Sequence, residues 1–112
     1  SDTFGPLGPW LVTTDEVPNP QRLNVWLDVN GERMQEETTK DMIFSCAEII
    51  SYLSNMITLH PGDVIYSGTP SGVGLGMKPK PKFLKPGDVI TMGIDGLGEH
   101  KNKVVSWNGK SK

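Results

Sequence analysis

The sequence predicts a mainly β fold with one main α-helix over about residues 45–58. Three observations carry that reading. Thirteen Gly and nine Pro in 112 residues favour many turns and few long helices. Leu23, Val25, Leu27 and Val29 alternate with Asn24, Trp26 and Asp28, the period of a half-buried strand, and run into Asn30-Gly31, a type I′ hairpin signal. Helical spacing of apolar residues occurs once, at Ile49, Ile50, Leu53, Met56 and Ile57.

The elements follow in order. Ser1 to Trp10 reads as the interior of a domain rather than a solvated tail, because Phe4, Leu7 and Trp10 are apolar and the Gly/Pro punctuation is ordered. The chain is therefore expected to be a piece of something longer. Leu11–Thr14 reads as a short strand, and Asp15–Pro20 as a connector whose two prolines disfavour a helix. After the Leu23–Val29 strand, Glu32–Gln35 is the return strand and Glu36–Lys40 a polar loop. Asp41–Phe44 is an apolar entry to the helix. Ser45 and Glu48 have capping-box spacing, each able to satisfy the other's backbone N–H. The helix stripe is expected to pack in a single core, with Cys46 as a small buried hydrophobe, and to end before His60-Pro61.

An internal echo follows. Leu59-His60-Pro61-Gly62-Asp63-Val64-Ile65 returns as Leu84-Lys85-Pro86-Gly87-Asp88-Val89-Ile90. Both copies place Pro-Gly at the centre of a type II turn that feeds a strand. Met77–Phe83, with two prolines and three lysines, is an extended excursion. Val89–Ile94 is a strand, Asp95–Gly98 a turn and Glu99–Trp107 the antiparallel return. Residues 1–107 thus form one unit, and 108–112 a polar tail.

Composition narrows the function. A formal charge of −2 gives no attraction to nucleic acid or to an anionic membrane. No run of ~18 apolar residues is present to span a bilayer. A single cysteine forms no internal disulfide and fits a reducing, cytoplasmic setting. His60 and His100 are far apart, without H-x-x-x-H spacing, and read as structural or solvated. No Glu-x-Glu or Asp-x-Asp pair is present to aim two oxygens at a hard cation, and Asp15, Asp63, Asp88 and Asp95 fit turn chemistry. No Gly-x-Ser-x-Gly elbow exists.

The segment that points to a ligand is Tyr66-Ser67-Gly68-Thr69-Pro70-Ser71-Gly72-Val73-Gly74. Glycines let a backbone approach a ligand closely, and loops at strand ends commonly carry binding groups. Thr69 is the first candidate for lining a site, although the same pattern also describes a plain turn. Neither a phosphate-cradling Lys-Ser/Thr pair nor a helix follows the glycines, which excludes a Walker loop and a dinucleotide fingerprint.

Asp2-Thr3-Phe4-Gly5-Pro6-Leu7-Gly8-Pro9-Trp10, Asp41-Met42-Ile43-Phe44-Ser45, Pro61-Gly62-Asp63-Val64-Ile65 and Gly68-Thr69-Pro70-Ser71-Gly72-Val73-Gly74, in that order, resemble the C-terminal half of the catalytic domain of the fumarylacetoacetate hydrolase family. Gly74–Pro79 and Gly93–Gly98 most resemble its bacterial branch of diketo-acid hydrolases, ureidoglycolate lyase-like proteins and hydroxy-heptadiene-dioate isomerases. The resemblance implies a partial domain of a mixed β roll, a homodimer and a Mg²⁺ or Mn²⁺ cofactor. It also implies a small 2-oxo or 2,4-dioxo acid substrate, processed by C–C hydrolysis, isomerisation or decarboxylation through a metal-stabilised enolate. The family's metal carboxylates, its Lys and its His-Glu dyad fall before Ser1, so this chain alone is expected to be inactive. What carries over is Thr69, flanked by Gly68 and Pro70, as the grip on a substrate carboxylate or oxo group, and Thr3 near the metal, orienting a bound water. Met42, Ile43 and Phe44 either wall the pocket or pack in the core. Alternatives that the sequence leaves open are a non-catalytic relic of the same fold and a missing half supplied as a separate chain.

Overall fold

A computed structural model describes residues 3–107. The polar tail at 108–112 lies outside them, as do Ser1 and Asp2. Four strands form one antiparallel sheet in the order β2-β1-β3-β4: β1 Asn24–Val29, β2 Glu32–Thr38, β3 Val89–Ile94 and β4 Gly98–Lys103. One α-helix, α1 Cys46–Ser54, lies between β2 and β3 in the chain, and short 3-10 turns occupy Thr39–Asp41 and Gly74–Gly76. The fold is mainly β with a single α-helix, as the sequence predicts.

The Asn30-Gly31 turn has positive φ at both residues, +53° and +82°, as a type I′ hairpin requires. Its tip is tied to the start of the neighbouring strand β3. Asn30 Nδ2 donates to Asp88 Oδ1 at 3.0 Å, and the Val89 N–H donates to Asn30 Oδ1 at 2.9 Å. The two echoed turns share one device. The His60 N–H donates to Asp63 Oδ2 at 2.7 Å, and the Lys85 N–H donates to Asp88 Oδ2 at 2.9 Å. Asp88 is buried, and the Asn30 amide followed by the Lys85 N–H holds its carboxyl below the usual carboxylate range.

Register divides the sheet into two faces. Val25, Leu27, Ile90, Met92 and Ile94 share one face with Gln35, Glu37, His100 and Asn102; Trp26, Asp28, Glu36, Thr91 and Lys101 share the other. Arg33 lies over the Trp26 ring at 4.8 Å and pairs with Asp28 and Glu36, so the second face is a charged, solvated one. A bulge between Leu27 and Asp28 gives β2 one extra residue, Met34, between Arg33 and Gln35.

Several expectations need correction. Leu11–Thr14 is not a strand: no neighbour pairs with it, Leu11 is 94 % exposed, and Thr13 opens a turn by accepting from the Glu16 N–H. Val64-Ile65 is likewise without a ladder, so the first echoed turn feeds an unpaired segment while the second feeds β3. The strand after the hairpin continues through Thr38 rather than stopping at Gln35, because Asn24, Val25 and Trp26 supply backbone partners to polar residues. β4 ends at Lys103, opposite Val89, where the antiparallel partner strand β3 begins. The helix stops at Ser54, where Asn55 caps it and Asn55 Nδ2 donates to Ser51 O at 2.8 Å.

The single core is also not formed: among the described residues no hydrophobic side chain is fully buried. Ile50, Met56 and Ile57 of the helix stripe are exposed, as are Phe4, Leu7, Trp10 and Tyr66. Large apolar side chains left exposed in this number are what an interface or an uncovered core face leaves.

The capping box forms in full. The Ser45 N–H donates to Glu48 Oε2 at 2.7 Å, and the Glu48 N–H donates to Ser45 Oγ at 3.2 Å. The Ser45 N–H and then its hydroxyl hold the Glu48 carboxyl below its ordinary value. A depressed folded-state value means that the stabilisation is present above the ordinary Glu value and is lost as pH falls through the depressed one. Ser45→Ala is expected to destabilise the helix by about 1 kcal/mol, read by amide exchange across 46–54. Glu48→Gln is expected to remove the acid-side slope of that exchange.

Candidate functional site

The loop 67–72 lies against the apolar face of the sheet beside β2. Its anchor is Gln35, only 8 % exposed, whose Nε2 lies 3.0 Å from Thr69 Oγ1, 2.8 Å from Pro70 O and 3.1 Å from Ser71 O. A second tie comes from Ser71 Oγ, which donates to Glu37 Oε1 at 2.9 Å. Gly72 completes the seat. Its φ is +98°, and a Cβ there would fall inside the van der Waals shell of the Met34 carbonyl and 3.1 Å from Gln35 Cγ. The bulge at Met34 and the glycine that accepts the approach of its carbonyl are therefore one local solution.

The loop forms one wall of an open cleft of about 620 Å³. Val25 and Ile94 of the sheet form its floor; Ser67, Gly68, Thr69, Pro70 and Ser71 lie on one side, and Met42, Ile43 and Phe44 on the other. Of the two roles open to Met42, Ile43 and Phe44, the structure puts them on the cleft wall, with Ile43 90 % and Phe44 63 % exposed. Gln21 fixes that side: its Nε2 donates to Thr39 O at 2.9 Å and its Oε1 accepts from the Cys46 N–H at 2.7 Å. Cys46 is partly buried and unpaired with any other cysteine. Thr69 and its neighbours Gly68 and Pro70 thus all line the cleft.

Thr3 is exposed and does not line the cleft. The segment after it reaches the tip of the Tyr66 side chain, since a Cβ on Gly5 would lie 3.2 Å from the Tyr66 hydroxyl. His100 half-buries its ring beside Gly8, and the backbone of His60 serves a turn, in keeping with structural roles for both.

Charge is unevenly placed. Glu37 and Asp41 line the cleft, and its lining includes no Lys or Arg. By itself the cleft disfavours an anion. Among the described residues no group of three His, Cys, Asp or Glu could hold a metal ion, so these residues do not fit a resident divalent cation.

Gln35 and Glu37 escaped the sequence reading. Gln35 belongs to a polar run, and the bulge at Met34 breaks the period that would have assigned it to the cleft face.

The family described as fumarylacetoacetate (FAA) hydrolase C-terminal matches residues 1–105. A candidate hydrolase of Burkholderia cenocepacia is 61 % identical over 98 residues, 88 % of this chain and 35 % of that protein. Fumarylacetoacetate hydrolase from psychrophilic Exiguobacterium antarcticum superposes with a TM-score of 0.86 at 44 % identity, over 91 % of this chain and 36 % of that one. Maleylpyruvate hydrolase from Sphingobium sp. SYK-6, in complex with manganese(II) and pyruvate, gives 0.82 at 40 % identity, over 92 % and 36 %. The chain spans about 35 % of the length of the curated relatives it matches.

Proposed function

Because the chain belongs to the fumarylacetoacetate hydrolase family, we propose that it is the carboxylate-gripping portion of a divalent-metal-dependent enzyme acting on 2-oxo or 2,4-dioxo acids. The observation that carries the proposal is the Thr69 hydroxyl at the edge of a cleft of about 620 Å³, on a loop anchored by buried Gln35. A hydroxyl and backbone N–H groups held in this way bind a carboxylate or oxo oxygen and orient the acid. Support comes from similar structures solved with Mn²⁺ and pyruvate, maleylpyruvate hydrolase of Sphingobium and fumarylpyruvate hydrolase of Pseudomonas aeruginosa. A bound cation would supply Lewis-acid polarisation of the acid's oxygens. Its ligands, and the positive charge that offsets Glu37 and Asp41, belong to polypeptide outside these residues. The same polypeptide, or a second copy in a homodimer, covers Phe4, Leu7, Ile50 and Met56. Residues 1–107 in this reading are one part of a single catalytic domain.

The proposal is tested in two steps. Calorimetry of the 112-residue chain with Mg²⁺ or Mn²⁺ is expected to give no micromolar binding; a micromolar Kd would contradict the assignment of the cation site to other polypeptide. The protein as its gene encodes it, supplied with Mn²⁺, is expected to turn over at least one of oxaloacetate, the acylpyruvates and the 2,4-dioxo sugar acids. Binding of pyruvate without turnover of any would instead favour a relic that keeps the cleft without the chemistry.

A further inference from the structure

We infer that Gln35 is a positioning residue that fixes Thr69 as a hydrogen-bond donor toward an acceptor oxygen of the bound acid. The inference rests on the reading of Thr69 given above and adds to it the polarity of the contact and the group that sets it.

Three acceptors converge on the end of the Gln35 side chain. Two of them, Pro70 O at 2.8 Å and Ser71 O at 3.1 Å, are carbonyl oxygens and can only accept. The amide must therefore turn its nitrogen toward the loop, since its oxygen would meet two carbonyls head on. The third neighbour, Thr69 Oγ1 at 3.0 Å, then faces an N–H and accepts from it. A hydroxyl has one hydrogen and two acceptor positions. With an acceptor position used on Gln35, the Thr69 hydrogen is directed elsewhere, and the cleft borders the residue. Thr69 thus offers the cleft a donor. That polarity suits a carboxylate or carbonyl oxygen.

The clamp is built from within the fold. The Met34 bulge sets Gln35 opposite Leu27 on the cleft face, and burial at 8 % exposure shields its bonds from competing water. Two amide hydrogens serve three acceptors, so the loop is held by a shared contact rather than by one bond. A carboxylate in place of the amide would repel Pro70 O and Ser71 O and add negative charge beside a cleft already lined by Glu37 and Asp41.

The test uses the protein as its gene encodes it, with Mn²⁺ present, and reads pyruvate affinity by calorimetry together with KM and kcat. Thr69→Val is expected to weaken pyruvate by about 10–100-fold, the range for a hydrogen bond to a charged group. Gln35→Met, which keeps the volume and removes the donor, is expected to weaken it by about 5–10-fold, with KM moved more than kcat. The double variant is expected to bind about as weakly as Thr69→Val alone, because Gln35 acts through Thr69.

An additive double variant, or unchanged affinity in Gln35→Met when Thr69→Val is weakened, would overturn the inference and leave the Thr69 reading intact. Unchanged affinity in Thr69→Val would remove that reading and the inference together. Gln35→Glu gives an arm that does not depend on the folding of Gln35→Met. Its protonated carboxyl can donate one hydrogen, so its affinity relative to wild type is expected to fall as pH rises through the carboxyl's titration. A ratio flat with pH would overturn the inference.

Discussion

Gly72→Ala is expected to destabilise the protein by ~2–4 kcal/mol and to lift the 67–72 loop off β2. Two costs combine at this residue. The φ of +98° disfavours any L side chain, and the new methyl would enter the space of the Met34 carbonyl, which is main chain and sits in a bulge between paired residues. Neither partner yields without breaking something. If the loop moves, Gln35 loses Thr69, Pro70 and Ser71; if β2 moves, the Leu27 and Asp28 pairings shift. Gly68→Ala is the control. Its φ of +100° is similar, but nothing lies within 4 Å of the added methyl. Denaturant unfolding of the two variants is expected to show a clearly larger loss for Gly72→Ala, and equal losses would mean that the Met34 approach carries no cost.

Thr69→Val is expected to leave stability nearly unchanged and to raise KM for an oxo acid by about 10–100-fold. Valine keeps the shape and β-branching of threonine while removing the hydroxyl, and Thr69 is exposed, so little packing is lost. The hydroxyl's bond to Gln35 is one of three, and the Pro70 and Ser71 contacts remain. The effect should therefore fall on binding. Thr69→Ser, which restores the hydroxyl, is expected to recover most of the affinity. Steady-state kinetics of both variants, set beside their unfolding midpoints, checks the separation of binding from stability.

The local rules were readable wherever the cause lay within a few residues. The Asn30-Gly31 hairpin, the Ser45/Glu48 box and the paired Pro-Gly-Asp turns all appear as expected, because each is decided by neighbours in sequence. The errors share the opposite cause. Leu11–Thr14 and Val64-Ile65 have strand-like composition, but a strand needs a partner, and the described residues offer none. The helix stripe has the pattern of a core face, yet nothing covers Met56 or Ile57.

The candidate site divides in the same way. The place of Thr69 on the cleft lining follows from its loop, whereas the apolar run of Met42 to Phe44 left cleft wall and core packing both open. Gln35 was not legible, since its role depends on a bulge and on a loop 34 residues away. A place for Thr3 near a metal rests on resemblance alone, and Thr3 is not among the residues that line the cleft.

The most direct measurement is a crystal structure of the protein as its gene encodes it, with Mn²⁺ and pyruvate bound. The expected result is a pyruvate oxygen within hydrogen-bonding distance, about 2.5–3.0 Å, of Thr69 Oγ1, with Gln35 Nε2 still on the opposite side of that hydroxyl. Pyruvate bound elsewhere, with the 67–72 loop touching neither ligand nor ion, would contradict it.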